Sequence, residues 1–271
     1  MRPTSNAQHL RARIFRSMGT VVSLTVARRR YTQAAVDELE SATAVVEGIF
    51  TELDLKFSLY REGSEASRVA RGELALSEAS ESMRRLYDEA SEWRLATNGA
   101  FTAERPDRAL DLSGIVKAHA AQEAALSLEA IGLQDWCLNA GGDVLVSGSP
   151  QPGTNEPWLA GVVDPGDRQS LLSAFPLRAL PALATSGCAE RGEHIWTVGS
   201  GKAEFVQVTV AATNIMTADV LATAIVAGGT PMLDQAVAKW GVEVLAVRRD
   251  GTLLATPGFR DETGQAARKA G

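Results

Sequence analysis

Two segments of the chain, separated by roughly a hundred residues, carry the side chains best suited to chemistry. Residues 111–117 (Asp-Leu-Ser-Gly-Ile-Val-Lys) and the nearby residues 139–143 (Asn-Ala-Gly-Gly-Asp) supply glycine turns, a lysine and two carboxylates. Residues 217–223 (Thr-Ala-Asp-Val-Leu-Ala-Thr) place Asp219 and Thr223 four positions apart. On a helix this spacing turns both side-chain oxygens to the same side. The two segments together predict a site for phosphate and magnesium.

Asp219 and Thr223 offer one carboxylate and one hydroxyl, which suit Mg²⁺ because this ion takes oxygen ligands and keeps others from water and phosphate. The alternative is that both are ordinary polar residues of an alanine-rich helix. That helix is apolar on nearly every side, with Val220, Leu221 and Ile225 among its residues. We favour the metal site, since an aspartate buried there needs a partner. These two ligands do not distinguish magnesium from manganese.

The segment 111–117 suits a ligand that carries phosphate groups. Gly114 allows a close approach of the backbone, and Lys117, near the first turn of a predicted helix, supplies a positive charge for a phosphate. Asp111 is placed to bond a ribose or a ring edge. The alternative is that Asp111 caps the helix and Lys117 is exposed. Both interpretations stay open at this point.

The Gly141-Gly142 pair lies between two apolar, strand-like runs. One interpretation is a tight hairpin turn, since glycine adopts a positive φ at no steric cost. The other is a backbone nest whose N–H groups face an anionic ligand.

The histidines and cysteines limit the remaining chemistry. His194 has the best setting for acid–base work because it lies between a glycine turn and a predicted strand, although a structural role is the alternative. His9 and His119 have weaker settings. Cys137 and Cys188 show no Cys-x-x-Cys spacing, which argues against a thiolate zinc site.

Composition is that of an ordinary globular protein. Of the 271 residues 45% are hydrophobic, enough for a sizeable core, and 22% are charged. The formal net charge of -6 argues against a protein whose main role is non-specific binding of nucleic acid. We see no apolar segment of a signal peptide and no stretch long and apolar enough to span a bilayer. We therefore expect no nucleic-acid partner, no stable membrane insertion and a cytoplasmic location.

The elements that position these residues follow from hydrophobic periodicity. A strand is predicted over 12–27, broken at residues 18–20, with short strands between 136 and 210. Helices are predicted over 32–53, from Ser77 to Asn98-Gly99, over 115–131, over 217–227 and from Pro231 to Gly241, with a loop over 57–71. A hairpin over 242–247 and 252–255, turning at Asp250-Gly251, ends the pattern. Strands flanked by helices are typical of an α+β fold.

Seven short motifs, taken in order, resemble the FAD:protein FMN transferase family, also called the ApbE family. They are Met18-Gly19-Thr20, Ser58-Leu59-Tyr60-Arg61 with Ser64-Glu65, residues 111–117, residues 139–143, Ala184-Thr185-Ser186-Gly187, His194-Ile195 and residues 218–224. Each motif is modest, but seven in the family's order are specific together, and they cover the chain from about Phe15 to Gly258.

The resemblance implies an enzyme that binds FAD as its substrate with Mg²⁺, cleaves the pyrophosphate, attaches FMN to a threonine or serine hydroxyl of an acceptor protein and releases AMP. It implies an α+β fold of two intertwined lobes, mainly antiparallel sheet with flanking helices. We predict one flavin transferase domain over residues 12–258, with 1–11 and 259–271 as loosely ordered tails.

Carried over by position, the resemblance also assigns site residues. Contacts to FAD are implied for Met18, Tyr60, Asp111, Lys117, Gly141, Gly142 and Ile195. Magnesium ligands are implied for the backbone carbonyl of Gly114, the carboxylate of Asp219 and the hydroxyl of Thr223. His194 stands where the family places a base for the acceptor hydroxyl.

The chain departs from the family pattern in three places. The connection before Asp111 is shorter, the Asp-Pro expected after His194-Ile195 is absent, and residues 69–71 (Val-Ala-Arg) stand where an asparagine is frequent. Two alternatives therefore accompany the transferase: a non-catalytic FAD-binding or flavin-delivery protein, and an FAD pyrophosphatase that gives FMN and AMP. The identity of the acceptor protein is not encoded in this chain.

Overall fold

A computed structural model describes residues 9–107, 109–187 and 203–260. Its strands are β1 (Leu10–Ser17), β2 (Thr20–Ala27), β3 (Trp136–Ala140), β4 (Asp143–Ser147), β5 (Trp158–Val163), β6 (Leu171–Leu177), β7 (Ala182–Gly187), β8 (Phe205–Ala212), β9 (Glu243–Arg248) and β10 (Leu253–Ala255). Eight of them form one sheet in the order β1-β2-β3-β4-β7-β8-β9-β10, and β5 pairs with β6. Every pairing is antiparallel.

The helices are α1 (Gln33–Phe57), α2 (Glu65–Ala70), α3 (Glu81–Ala96), α4 (Ser113–Ala130) and α5 (Ile215–Trp240), with a 3₁₀ turn at Leu76–Glu78. Helices α4 and α5 pack against each other, and α5 also packs on β7 and β8. Helix α1 packs on α4 and β1. The expected α+β fold, with mainly antiparallel sheet and flanking helices, is confirmed.

Alternation along the strands divides the core into two clusters on the two faces of the large sheet. On β7, Ala182 and Ala184 pack in the cluster that contains the helices. Leu183, between them, packs in the other cluster with Trp158 and Phe175 of the β5–β6 ribbon. The helices therefore cover one face of the sheet, and the ribbon covers the other.

Two predicted boundaries near the N-terminal helices are wrong. Ser80, not Ser77, caps α3, because its hydroxyl accepts a hydrogen bond from the backbone N–H of Met83. The predicted loop over 57–71 contains helix α2, capped by Ser64, whose hydroxyl oxygen accepts from the N–H of Ser67 at 3.0 Å. Six residues are too few for periodicity to show a helix.

The two predicted C-terminal helices are the two parts of α5, which a kink at Gly229 separates. This residue has φ 64° and ψ −156°, which is not helical. Beyond the kink Thr230 and Pro231 begin the second part, as the sequence indicated, and Gly241 ends it with φ 61°. The first part begins earlier than predicted, because Asn214 caps it by accepting from Thr217 N–H at 2.8 Å.

Three further expectations are corrected at the chain ends and on α5. The β9–β10 turn has three residues, since the N–H of Arg248 bonds the carbonyl of Thr252 and Gly251 has φ 84°. Phe259, placed in the predicted tail, is fully buried, and β1 begins at Leu10. Helix α5 is long and apolar enough for a membrane span, and its most apolar stretch has a mean hydropathy of 1.3. However, 72% of that stretch is buried inside the protein, as in a core helix.

Candidate active site

The turn between β1 and β2 places Met18 at one end of the sheet. Met18 has φ 50° and Gly19 has φ 70°. A two-residue hairpin turn of type I′ requires a positive φ at both of its central residues. A positive φ is uncommon for a residue with a side chain, and such strain is often found at functional sites. A cleft of about 400 Å³ lies between this turn, Thr51 and Asp54 of α1, and Arg61.

The loop that follows α1 is fixed by its own hydrogen bonds. The guanidinium of Arg61 pairs with the carboxylate of Asp54 at 2.8 Å, and the hydroxyl of Ser64 donates to the carbonyl of Ser58 at 2.6 Å. Glu65 accepts from both the N–H and the hydroxyl of Ser80, so it ties α2 to the start of α3. Tyr60 is 93% exposed at the tip of this loop. The loop thus presents Tyr60 and Arg61 beside the Met18 cleft.

The Gly141-Gly142 pair forms the tight turn between β3 and β4. Gly141 and Gly142 have φ 65° and 100°, and a Cβ on Gly141 would lie 2.3 Å from Oγ1 of Thr20. The N–H of Gly141 donates to the carbonyl of Val21, and the N–H of Gly142 donates to Oδ1 of Asn139 at 2.9 Å. The hairpin interpretation therefore describes this turn, and both N–H groups are engaged within the protein. Gly141 allows the close approach of Thr20, whereas open space adjoins Gly142, where an added Cβ would meet no atom within 4 Å.

At the start of α4, Asp111 lies one residue before the N-cap position instead of occupying it. Asp111 Oδ1 accepts from the N–H of Ser113 at 2.9 Å, so Asp111 stabilises the first turn of the helix. Its own N–H donates to the carbonyl of Ala103 at 2.7 Å. Gly114 lies exposed on that first turn, and a Cβ there would be 3.3 Å from the Phe101 ring. The end of α4 that carries Gly114 is accessible to a ligand.

Lys117 is not an exposed lysine. Its ammonium pairs with Oδ2 of Asp143, the first residue of β4, and the two side chains are only 13% and 1% exposed. The other oxygen of that carboxylate, Oδ1, accepts from the N–H of Thr185 on β7 at 3.3 Å. One buried carboxylate therefore contacts both α4 and β7.

The predicted metal pair lies where α5 packs on β7. Asp219 is 6% exposed, and Thr223, one turn further along, bonds Ser186 hydroxyl to hydroxyl at 2.9 Å. Thr185, on the opposite face of the strand, bonds Thr209 of β8 at 2.9 Å. Strand β7 thus brings a second hydroxyl to the helical pair of Asp219 and Thr223.

A continuous row of contacts joins these features. The Met18 turn meets the Gly141 turn through Thr20, and Asp143, which follows that turn, pairs with Lys117. Asp143 then bonds β7, whose Ser186 reaches Thr223. Glycine turns, a cation and several oxygen ligands are thereby assembled at one end of the sheet, an arrangement that can bind phosphate groups and a hard cation.

The oxygen set fits magnesium by its chemistry. Asp219 supplies a carboxylate, Thr223 and Ser186 supply hydroxyls, and none of these ligands is a thiolate or an imidazole. Mg²⁺ prefers such hard oxygen ligands and completes its shell with water and substrate phosphate. Among the residues that the structure describes, no group of three or more His, Cys, Asp or Glu side chains is arranged to hold a metal.

The predicted base falls outside the described residues, as do Ile195 and Cys188. His9 Nδ1 lies 3.1 Å from the carbonyl of Arg29. His119 lies near Glu89; burial raises the pKa of Glu89 above its ordinary value, and the proximity of His119 offsets part of that rise. Neither of these histidines belongs to the row of contacts. Cys137 is a half-buried thiol packed against the ribbon side of the sheet, and burial raises its pKa to about 12.

Two residues of the site received no role from the sequence. Asp143 and Ser186 both belong to recognised motifs, but their partners, Lys117 and Thr223, are distant in sequence. The sequence contains one indication for Asp143: it directly follows a glycine turn and begins an apolar strand, and a carboxylate that is buried at such a position needs a partner.

The ApbE family profile matches residues 18–104 and 102–246 of the chain. The two matched pieces meet at 102–104, within the connection that the sequence showed to be short for this family. A Rhodobacter capsulatus protein named FAD:protein FMN transferase is 32% identical over 175 residues, which are 60% of this chain and 33% of that protein. A Salmonella typhimurium protein of the same name is 26% identical over 54% of this chain and 44% of its own length. The matches thus span less than half of the length of these curated relatives.

Solved structures show the same fold. The flavin transferase ApbE from Vibrio cholerae has a TM-score of 0.74 at 22% identity, covering 93% of this chain and 99% of that one. The Pseudomonas stutzeri flavinyl transferase ApbE in its apo form has a TM-score of 0.74 at 21% identity, covering 94% and 97%. The family profile extends over most of the chain, and these solved structures share the fold of the chain. The chain belongs to the ApbE family.

Proposed function

We propose that this chain is an FAD:protein FMN transferase that moves FMN from FAD to a threonine or serine hydroxyl of an acceptor protein, with Mg²⁺ as cofactor and AMP as the released product. The observation that carries this proposal is the continuous row of contacts from the Met18 turn to Thr223. It assembles a lysine whose side chain is only 13% exposed and a set of side-chain oxygens beside two glycine turns. The relatives named FAD:protein FMN transferase support the same activity.

The proposed reaction replaces one phosphate bond by another. The acceptor hydroxyl oxygen bonds to the phosphorus of the FMN half, while the bond from that phosphorus to the bridging oxygen breaks and AMP leaves with that oxygen. The hydroxyl proton passes to a base, the role we propose for His194. A positioned base contributes about 10²–10⁴-fold to such a step.

The charged residues act on the phosphates. Phosphoryl transfer depends mainly on positioning and on offsetting charge, so the ammonium of Lys117 acts on the pyrophosphate oxygens. The carbonyl of Gly114, the carboxylate of Asp219 and the hydroxyl of Thr223 would hold magnesium. When bound, that ion would polarise the phosphate oxygens and neutralise part of their charge.

The remaining predicted residues are proposed to bind FAD. Met18 borders the cleft at the Arg61 loop, and Tyr60 is exposed on that loop next to Arg61; both would line the flavin. Asp111 would contact the nucleotide from the start of α4, where one of its oxygens bonds Ser113 N–H. The Gly141-Gly142 turn would allow close approach, and Ile195 would complete the contacts.

The test is to incubate the purified protein with FAD and magnesium, with and without a candidate acceptor domain, and to resolve FMN, AMP and protein-bound flavin. AMP release that requires the acceptor, together with covalent flavin on a threonine or serine, establishes the transferase. Free FMN and AMP without any acceptor would instead identify an FAD pyrophosphatase. FAD that stays bound and intact under every condition would identify a flavin-binding or flavin-delivery protein.

A further inference from the structure

Asp143 joins two parts of the candidate site through the two oxygens of one carboxylate. Oδ2 pairs with the ammonium of Lys117 on α4, and Oδ1 accepts from the N–H of Thr185 on β7. The residue after Thr185 is Ser186, which bonds Thr223 on α5 at 2.9 Å. Asp143 therefore lies between the lysine of the phosphate side and the hydroxyls of the metal side.

The register of the sheet explains why this carboxylate reaches both partners. Asp143 directly follows the Gly141-Gly142 turn and pairs with Ala140 across it. Val144, the next residue, pairs with Leu183 of β7 and faces the ribbon side of the sheet. Because side chains alternate, Asp143 faces the helices, where α4 carries Lys117.

Burial makes this pair unlike a surface ion pair. The Asp143 side chain is 1% exposed and the Lys117 side chain is 13% exposed. Removing two charges from water is costly, so a buried pair is weak evidence for a contribution to stability. Its more direct effect is to fix one position of a flexible lysine, since an ammonium on a four-carbon stem otherwise samples many rotamers.

We infer that Asp143 is a positioning residue that holds the Lys117 ammonium at the phosphate-binding end of the site and fixes β7 beside it, an inference that rests on the proposed function. FAD phosphates then meet a lysine already ordered before binding. Asp143 acts through Lys117 and contacts neither FAD nor the acceptor.

The test compares four variants with the wild-type protein: Asp143→Asn, Lys117→Met, the double variant, and the control Glu243→Gln. Glu243 makes a matched pair of contacts outside the site, accepting from the N–H of Gly258 at 2.9 Å and from the Thr256 hydroxyl. The readouts are kcat/KM for FAD-dependent flavinylation, the FAD dissociation constant from flavin fluorescence, and the unfolding temperature.

We expect Asp143→Asn to lower kcat/KM by about 10–100-fold, as for other residues that orient a functional group. In the Lys117→Met background the same change should alter kcat/KM by less than about twofold, because its partner is already absent. The double variant should unfold at a higher temperature than Asp143→Asn, since it leaves no unpaired buried charge at this position, yet be no more active than Lys117→Met. Glu243→Gln should keep the wild-type affinity for FAD.

The inference is overturned if the fold-loss of kcat/KM in the double variant equals the product of the losses in Asp143→Asn and Lys117→Met. It is also overturned if Asp143→Asn lowers activity only as far as it lowers the folded fraction. Should Asp143→Asn fail to fold, Asp143→Glu keeps the charge pair but displaces the ammonium by one methylene. We then expect a folded protein with weakened affinity for FAD, and wild-type affinity would overturn the inference. A wild-type protein that neither binds nor turns over FAD contradicts the proposed function itself, a result separate from these comparisons.

Discussion

The hydroxyl oxygens of Ser186 on β7 and Thr223 on α5 lie 2.9 Å apart. This contact connects the large sheet to the helix that also carries the nearly buried Asp219. The pair of Asp219 and Thr223 is therefore not a feature of one helix alone, because strand β7 orients one of its two oxygens.

The first prediction concerns the hydroxyl of Thr223. Thr223→Val keeps the shape of the side chain but removes its oxygen, so the Mg²⁺ concentration for half-maximal AMP release should rise by about 10–100-fold. Thr223→Ser should restore the wild-type requirement. Asp219→Asn should abolish metal-dependent turnover, and calorimetric titration with MgCl₂ measures binding independently of activity.

An unchanged magnesium requirement in Thr223→Val would remove this hydroxyl from the metal site. The matched control is Thr209→Val, because Thr209 also bonds a threonine of β7 but lies on the opposite face of the sheet from α5. It should leave the magnesium requirement unaltered.

A second prediction separates clash from strain in the Gly141-Gly142 turn. Gly142→Ala meets no atom within 4 Å but has φ 100°, so it should lower the free energy of unfolding by about 1–2 kcal/mol. Gly141→Ala combines φ 65° with a Cβ 2.3 Å from Thr20 Oγ1, and the clash should add about 1–3 kcal/mol. Urea denaturation measures both values.

Thr20→Ala removes the closest clashing atom. Combined with Gly141→Ala it should recover part of the stability that Gly141→Ala loses. Equal losses for the two glycine variants would show that the close approach between the turn and Thr20 has no energetic consequence.

A third prediction concerns Met18, whose positive φ is strained for a residue with a side chain. Asn-Gly is the favoured pair in a hairpin turn of this type, so Met18→Asn should leave the free energy of unfolding unchanged or raise it by up to about 1 kcal/mol. Affinity for FAD should fall, because the apolar side chain is lost. Met18→Leu is the control and should keep most of that affinity. Calorimetry measures the free energy of unfolding, and flavin fluorescence measures the affinity for FAD. Full FAD affinity in Met18→Asn would contradict the contact between Met18 and the flavin.

A fourth prediction concerns the stability of the kinked helix α5 in acid. Glu204 accepts from the N–H and hydroxyl of Thr230 at 3.0 and 2.8 Å and pairs with Arg248, and these contacts, the Thr230 N–H first, hold the pKa of Glu204 below its ordinary value near 4.5. A depressed carboxyl pKa stabilises the folded state above about pH 4.5 and loses that effect as the pH falls through the folded pKa.

Glu204→Gln should therefore lower stability at neutral pH and reduce its decline in acid. Unfolding temperatures between pH 7 and about pH 3 measure both effects. Glu52→Gln, at an exposed carboxylate on α1, serves as the control. A decline in acid that is identical in Glu204→Gln and wild type would show that this carboxylate is not linked to folding.

The sequence by itself determined the elements and the chemistry that each offers. Helical periodicity predicted α1 and α4 and both parts of α5, because burying one face leaves a repeat that can be read locally. The resemblance of seven ordered motifs predicted the family, which the profile match confirms. Two interpretations stayed open at Gly141-Gly142 and at Lys117, since a turn or a lysine alone does not indicate its partner.

Only the tertiary structure decided those partners. Lys117 meets Asp143 and Ser186 meets Thr223 because strand register and helix packing bring distant residues together. The hydrophobic periodicity of a segment shows which of its faces is buried, but it does not show which distant residue will lie against that face. The break at Gly229 was indicated by the sequence, but the contact of Glu204, which lies outside the helix and accepts from the N–H of Thr230, was not. The residues of the site were thus present in the sequence, whereas their mutual contacts arise from the folding of α4 and α5 onto one sheet.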